Sequence, residues 1–295
     1  MKKTAFIAIV GRPNVGKSTL LNSILGEKVA IVSKKPQTTR NRITGIHTVG
    51  ENQFIFLDTP GIHKPRTRLG DFMIKTTAQT LSGVDSAILV VEAREQVGDI
   101  EAQIINKFKS EGIKAILVIN KIDTVHRENV IKTIAAYSEA YNFHAVVPLV
   151  AKNGNGVDTL IEECEDFLCE SDWFFPDDIA TDQPERQVAA EIIREKLLRS
   201  LDEEIPHGTA VVIEEWKEKK GTVSIRAEIY CEKASRKGII IGKGAATIKR
   251  IGTYAREDLE KMLDAKVFLD LYVRVKENWR DSDFNISNFG YREEE

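Results

Sequence analysis

Short apolar runs of strand length recur along the first half of the chain, at residues 5–10, 54–57, 87–91, 115–119 and 145–149, separated by longer stretches with helical spacing. Strands alternating with helices predict a mostly parallel sheet covered by helices on both faces. The pattern stops after a helix around 160–168, and Trp173, Phe174, Phe175 and Pro176 through Gln183 and Pro184 read as a linker. Beyond it the grammar changes. Val223, Ile225, Ala227 and Ile229 alternate with Thr222, Ser224, Arg226 and Glu228, and Val267, Leu269, Leu271, Val273 and Val275 keep the same two-residue period. Both segments predict strands buried on one face, while Ile248, Ile251, Ala255, Leu259, Met262 and Leu263 between them recur at helical spacing. The expected organisation is an α/β domain over residues 1–171, a linker over 172–185 and a smaller α+β module over 186–295, whose acidic end at 293–295 reads as a solvated tail.

A length of 295 residues allows about two domains, each with its own core. The net charge of −3 excludes a polycation that coats nucleic acid indiscriminately, so any nucleic-acid site must be local. Cys164, Cys169 and Cys231 make an odd count without metal-type pairing, which fits ordinary thiols of a reducing cytosol and no metal site built on cysteine. Lys2 and Lys3 before an apolar stretch resemble the start of a signal peptide, but the stretch is short and is expected to be the first strand. No run approaches the roughly 18 apolar residues that a membrane-spanning helix needs.

The first apolar run leads directly into Gly11, Arg12, Pro13, Asn14, Val15, Gly16, Lys17 and Ser18, which match the G-x-x-x-x-G-K-[ST] phosphate loop. Glycines let backbone N–H groups turn inward around phosphates, Lys17 brings a point charge to the β/γ oxygens, and the Ser18 hydroxyl can ligate Mg²⁺. The bland alternative, a chance glycine turn, does not account for strand, loop and helix falling in the required order. Asn120, Lys121, Ile122 and Asp123 end a later strand as N-K-x-D. A carboxylate at Asp123 can accept from the N1–H and exocyclic amine of guanine, a donor pair that adenine lacks; adenine would leave the acceptor desolvated and unpaired. Asn120 and Lys121 are expected to brace the loop and cover the base.

Asp58, Thr59, Pro60 and Gly61 match D-x-x-G, with Asp58 expected to hold Mg²⁺ through water and the Gly61 N–H to sense a γ-phosphate. Upstream, Gln37, Thr38, Thr39 and Arg40 form a polar stretch suited to a switch loop, in which Thr39 is favoured over Thr38 as a further Mg²⁺ ligand. Lys17, Thr39 and Gly61 are therefore the expected catalytic set. Ile62 follows Gly61 where many signalling GTPases carry a water-positioning glutamine, which predicts slow unassisted hydrolysis of roughly 10⁻⁴ to 10⁻² s⁻¹. Asn14 has two readings: a ligand for K⁺ beside the phosphates, supplying charge there, or a residue that shapes the loop. Val150, Ala151 and Lys152 stand in place of S-A-[KL], so the Ala151 N–H can reach the guanine O6 while the bracing serine hydroxyl is absent.

In the second module, Gly242, Lys243, Gly244 and Ala245 lie between two helical stretches and resemble the G-x-x-G loop of a KH module, which grips the backbone of four nucleotides. From Lys233 to Arg250 the basic residues Lys233, Arg236, Lys237, Lys243, Lys249 and Arg250 occur with no acidic one, a local positive patch in a negative chain. Lys237, Gly242, Lys243, Gly244, Ala245, Lys249 and Arg250 are the candidate RNA contacts. A glycine turn with a solvated basic face is the duller reading; strands flanking the helices favour RNA. Ala245 departs from the motif where its second glycine is usual, which predicts a weaker grip.

Phosphate loop, D-T-P-G, N-K-I-D, linker and KH-like module in this order resemble the Era family of bacterial GTPases along nearly the whole chain. The resemblance implies a P-loop GTPase domain with a type II KH domain, GTP/GDP and Mg²⁺ as ligands, and binding near the 3′ end of 16S rRNA during maturation of the 30S subunit. GTP would favour the RNA-competent arrangement. It also implies RNA rather than DNA as partner, a monomer, and a cytoplasmic protein attached peripherally to the inner face of the cell membrane. Two other readings stand beside it: a signalling switch that docks protein or membrane through its C-terminal domain, and an NTP-hydrolysing enzyme for a small molecule, for which no additional nucleophile or acid–base constellation is present.

Overall fold

The computed structural model describes residues 1–292 except 34, 36, 63, 64, 66, 85, 203, 204 and 220; the acidic run 293–295 lies outside the described residues. Two compact units are formed, one by residues up to Asp182 and the other from Gln183 onward, with residues 67–69 grouping with the second.

The first unit runs β1 (Lys3–Val10), α1 (Lys17–Leu25), β2 (Ile43–Val49), β3 (Asn52–Asp58), α2 (Arg68–Ser82), β4 (Ser86–Glu92), α3 (Asp99–Glu111), β5 (Lys114–Asn120), α4 (Arg127–Ala140), β6 (Ala145–Pro148), α5 (Val157–Cys164) and the two-residue β7 (Cys169–Glu170). The strands lie in the order β2-β3-β1-β4-β5-β6, and β7 joins β1 antiparallel. All neighbours along that path are parallel except β2 with β3. Alternate residues along each central strand enter opposite cores: Ile7, Ile9, Phe54, Phe56, Ile88 and Val90 on the face covered by α1 and α5, and Ala8, Val10, Ile55, Leu57, Leu89 and Val91 on the other. Burial on both faces is why these strands read as unbroken apolar runs. The carboxyl ends of β1, β3 and β5 then deliver the phosphate loop, Asp58 and Asn120 to one edge of the sheet.

Residues 171–182 do not run free. The Ser171 N–H donates to Lys2 O (3.3 Å), the Thr4 hydroxyl to Asp172 O (3.3 Å) and the Trp173 indole to Glu51 O (3.1 Å). Gln53, fully buried, accepts from the Phe174 and Phe175 amides and donates to Phe175 O. The stretch expected to be a linker is thus hydrogen-bonded to the first unit as far as Thr181, because its polar backbone finds partners on the sheet.

The second unit runs α6 (Glu185–Ser200), β8 (Thr209–Lys219), β9 (Thr222–Cys231), α7 (Ala234–Ile241), α8 (Ala246–Leu263), β10 (Lys266–Val275) and α9 (Asp283–Asn288). Its sheet has the order β10-β9-β8, with β10 parallel and β8 antiparallel to β9. Val223, Ile225, Ala227 and Ile229 are buried against Ile251, Ala255 and Leu259 of α8, as the two periodicities require. Val275, by contrast, is 37 % exposed, because the core ends before the strand does.

Candidate active site and nucleic-acid interface

The phosphate loop takes its shape from backbone that side chains cannot occupy. Gly11 (φ 148°) leaves no room for a Cβ, which would fall 2.3 Å from Val90 O, and at Gly16 (φ 104°) a Cβ would meet the Asn120 amide at 2.2 Å. Asn14 is left-handed at φ 66°, a conformation that Asn tolerates better than most residues and that fits its loop-shaping reading. The Lys17 ammonium donates to Gly11 O and Arg12 O, each at 3.0 Å, spending two of its three protons and leaving one for a phosphate oxygen. Burial pulls the Lys17 pKa down to about 8 against the opposing pull of Asp58.

Ser18, Thr39 and Asp58 converge from three segments. Ser18 Oγ lies 2.8 Å from Thr39 Oγ1 and donates to Asp58 Oδ2 at 2.6 Å, while Thr38 instead donates to Lys35 O at 2.6 Å. Asp58 Oδ1 is buried without a hydrogen-bond partner, and burial pushes the carboxyl up to about 6 despite the opposing pull of Lys17 and Ser18. A hard oxygen donor set with an unused buried carboxylate oxygen fits Mg²⁺, which would relieve that cost. Gly61 packs on the phosphate loop so closely that a Cβ would come 2.7 Å from the Pro13 nitrogen, bringing the D-T-P-G element against the nucleotide motif.

Several motif residues are instead structural. Both donors of Thr59 go to Ile9 O (amide 3.2 Å, hydroxyl 2.9 Å), and Pro60 O accepts from Thr77 at 3.1 Å. Ile62 and Ile122 pack on the core of the α2–α4 face rather than turning to a ligand, since an apolar side chain beside that core gains more by burial. Arg12 turns away to an ion pair with the fully buried Glu101 of α3. Sequence reading missed Glu101; a carboxylate in the first turn of a helix gave no sign that it was internal.

At the guanine motif, Asn120 braces two loops: its amide donates to Val15 O (2.8 Å) and its Oδ1 accepts from Lys121 N (2.8 Å) and Ala151 N (3.0 Å). The Ala151 N–H, the expected donor to guanine O6, is thus held by Asn120 in this arrangement. Lys121, left-handed at φ 60°, reaches back to Asn14 O (2.6 Å) and ion-pairs with Glu92. Asp123 and Lys152 are exposed. With no hydroxyl at Val150, the loop is pinned by its backbone: Val150 N–H donates to Asn155 O (2.9 Å) and Asn153 N–H to Val150 O (3.2 Å).

In the second unit the turn between α7 and α8 is left-handed at Gly242 (φ 73°), Gly244 (φ 59°) and Ala245 (φ 62°). A Cβ on Gly242 would come within 2.9 Å of Thr247 N, whereas one on Gly244 would meet open space. Ala245 thus occupies a glycine conformation with a side chain. Lys243, Lys249 and Arg250 are exposed around this turn and Lys237 is half-buried, whereas Arg236 is taken up by Glu232 at 2.8 Å, which also receives Arg280.

The family described as 50S ribosome-binding GTPase matches residues 6–121, and the KH domain family matches 204–280. GTPase Era of Ruminiclostridium cellulolyticum is 46 % identical over 291 residues, 98 % of each chain. Among solved structures, Era in complex with MgGDPNP and nucleotides 1506–1542 of 16S ribosomal RNA superimposes with a TM-score of 0.94 at 39 % identity, covering 99 % of both chains. A point variant of Aquifex aeolicus Era bound to GDP and AlF₄⁻ gives the same TM-score and identity over 98 % of this chain and 99 % of that one. With both domain families in order and similarity running end to end, the chain belongs to the Era family of GTPases.

Proposed function

We propose that this GTPase binds 16S rRNA near its 3′ end through the Gly242–Ala245 turn and assists maturation of the 30S subunit, with GTP favouring the RNA-competent state. The observation that carries the proposal is the left-handed turn at Gly242, Gly244 and Ala245, set among exposed Lys243, Lys249 and Arg250. Such a turn gives the close backbone approach and the cations that a phosphate chain needs. The 16S-bound relative, similar over 99 % of this chain, supports the choice of RNA.

In the nucleotide site, Asp123 selects guanine, Lys17 applies its remaining proton to the phosphates, and Gly61 places its amide beside the phosphate loop. Ser18, Thr39 and Asp58 would hold Mg²⁺, which neutralises charge on the phosphate oxygens when bound. Thr39 would report the triphosphate, since its hydroxyl joins Ser18, which in turn donates to Asp58 at the same Mg²⁺ position. With Ile62 packed on the core, no side chain at that position orients the water, so unassisted turnover is slow. Asn14 as a K⁺ ligand belongs to the same proposal, as do a cytoplasmic monomer and peripheral attachment to the inner face of the membrane. Among the described residues no helix is long and apolar enough to cross a bilayer.

Crosslinking in cells with nucleotide-resolution mapping tests the partner: the 3′ end of 16S rRNA should dominate, and recovery of scattered transcripts alone would refute it. In vitro, binding should weaken steeply with salt and fail in Lys243→Glu and Gly242→Asp.

A further inference from the structure

We propose that residues 180–181 form a clip on the outer edge of β2 that passes the state of the nucleotide from Thr39 to the chain leading into the second unit; this rests on the nucleotide-dependent RNA binding proposed above. The strand β2 is the edge of its sheet, so its outward N–H and C=O groups have no strand partner. Two of them are taken by the segment that precedes α6: the Ile46 N–H donates to Ala180 O at 2.8 Å, and Thr44 O accepts from the Thr181 hydroxyl at 2.7 Å. Residues two apart on one strand face the same side, so the two bonds grip one edge. Ala180 also packs against the core on the α1 face.

The same edge strand begins at Ile43, four residues after Thr39. From Thr39 to Ile46 the chain is buried or half-buried throughout, with Thr39, Arg40, Ile43, Thr44 and Ile46 all buried. A packed ribbon cannot absorb a displacement at one end by collapsing into empty space, so movement of Thr39 away from Ser18 and Asp58 is felt at Thr44 and Ile46. Farther along, Gln53 on β3 ties Phe174 and Phe175 to the sheet and also donates to Thr48 of β2 at 3.2 Å. This clasp keeps the earlier part of the segment fixed, so that the clip at 180–181 is where release occurs. The two hydrogen bonds to Thr44 and Ile46 are each worth roughly two- to tenfold in an equilibrium, a strength that a nucleotide-driven shift can overcome.

The test is RNA affinity of the full-length protein for a fragment of the 16S rRNA 3′ end, measured with GDP and with GDPNP in wild type, Thr181→Val and Thr181→Ser. Thr181→Val keeps the side-chain shape and removes the hydroxyl. The ratio of the two affinities should fall at least about threefold in Thr181→Val and return in Thr181→Ser, with GDP affinity and the GTP hydrolysis rate unchanged in both. A Thr181→Val protein that keeps the wild-type ratio overturns the clip and leaves nucleotide-coupled binding standing. A wild-type ratio of one overturns the coupling itself, and the clip with it.

Discussion

Replacing Ala245 by glycine should stabilise the second unit and tighten its hold on RNA. Ala245 sits at φ 62°, ψ 22°, where the Cβ of an L-residue crowds the neighbouring carbonyl at a cost of about 1–2 kcal/mol. Glycine escapes that cost but gives the unfolded chain more freedom, which offsets about 0.5–1 kcal/mol. The balance is a gain on the order of 0.5–1 kcal/mol, enough to raise the melting midpoint of a unit this size by about 2–8 °C. Loss of the Cβ also lets a phosphate approach the backbone more closely, so RNA affinity should rise along with stability. Calorimetry of the whole chain, fitted with a separate transition for each unit, measures the first effect; fluorescence anisotropy at fixed salt measures the second. Gly242→Ala is the opposing control, since its Cβ would strain both φ 73° and the 2.9 Å approach to Thr247 N. An Ala245→Gly protein that melts lower than wild type would refute the strain argument, and one that melts higher but binds RNA no better would refute its link to the phosphate.

Other consequences can be checked directly. Asp123→Ala should lower GTP affinity about 10²-fold or more without improving ATP binding, because two hydrogen bonds to a charged acceptor are lost; competition with labelled GDP reads this out. Since burial raises the metal-free Asp58 carboxyl from its usual 3.8 to about 6, the proton should compete with Mg²⁺, weakening Mg²⁺ affinity about tenfold per pH unit below about 6. The same shift favours the protonated fold. Its contribution, up to about 3 kcal/mol, is fully present below pH 3.8 and lost as pH rises to about 6, so urea midpoints of the metal-free protein should fall across that window relative to Asp58→Asn. Purified protein should hydrolyse GTP at roughly 10⁻⁴ to 10⁻² s⁻¹, faster in K⁺ than in Na⁺; equal rates in the two salts would leave Asn14 with its loop-shaping role alone.

How far the chain could be read in advance depended on whether each interaction has a local pattern. The central strands announce themselves because burial on both faces demands unbroken apolar runs, and the nucleotide motifs because phosphate and guanine recognition needs particular groups at fixed backbone spacing. β2 carries neither mark. Its apolar residues Ile43, Ile46 and Val49 recur every third position, which hides a two-residue period, and its pairing with β3 is decided by register with distant residues. Gln53 is similarly silent: as one polar residue at the start of a strand it looks solvated, yet it is fully buried because the amides of Phe174 and Phe175 satisfy it from about 120 positions away. Ala245 is the reverse case, since a departure visible in the motif acquires its physical meaning only from the backbone conformation, φ 62°. The motifs therefore name the groups that meet the ligand, while the groups that connect one site to another are hydrogen bonds between residues unrelated in sequence. Any nucleotide-dependent control in this family member is best sought among such nonlocal bonds, because the nucleotide motifs lie at the carboxyl ends of the first unit's strands and the Gly242–Ala245 turn is built wholly from the second.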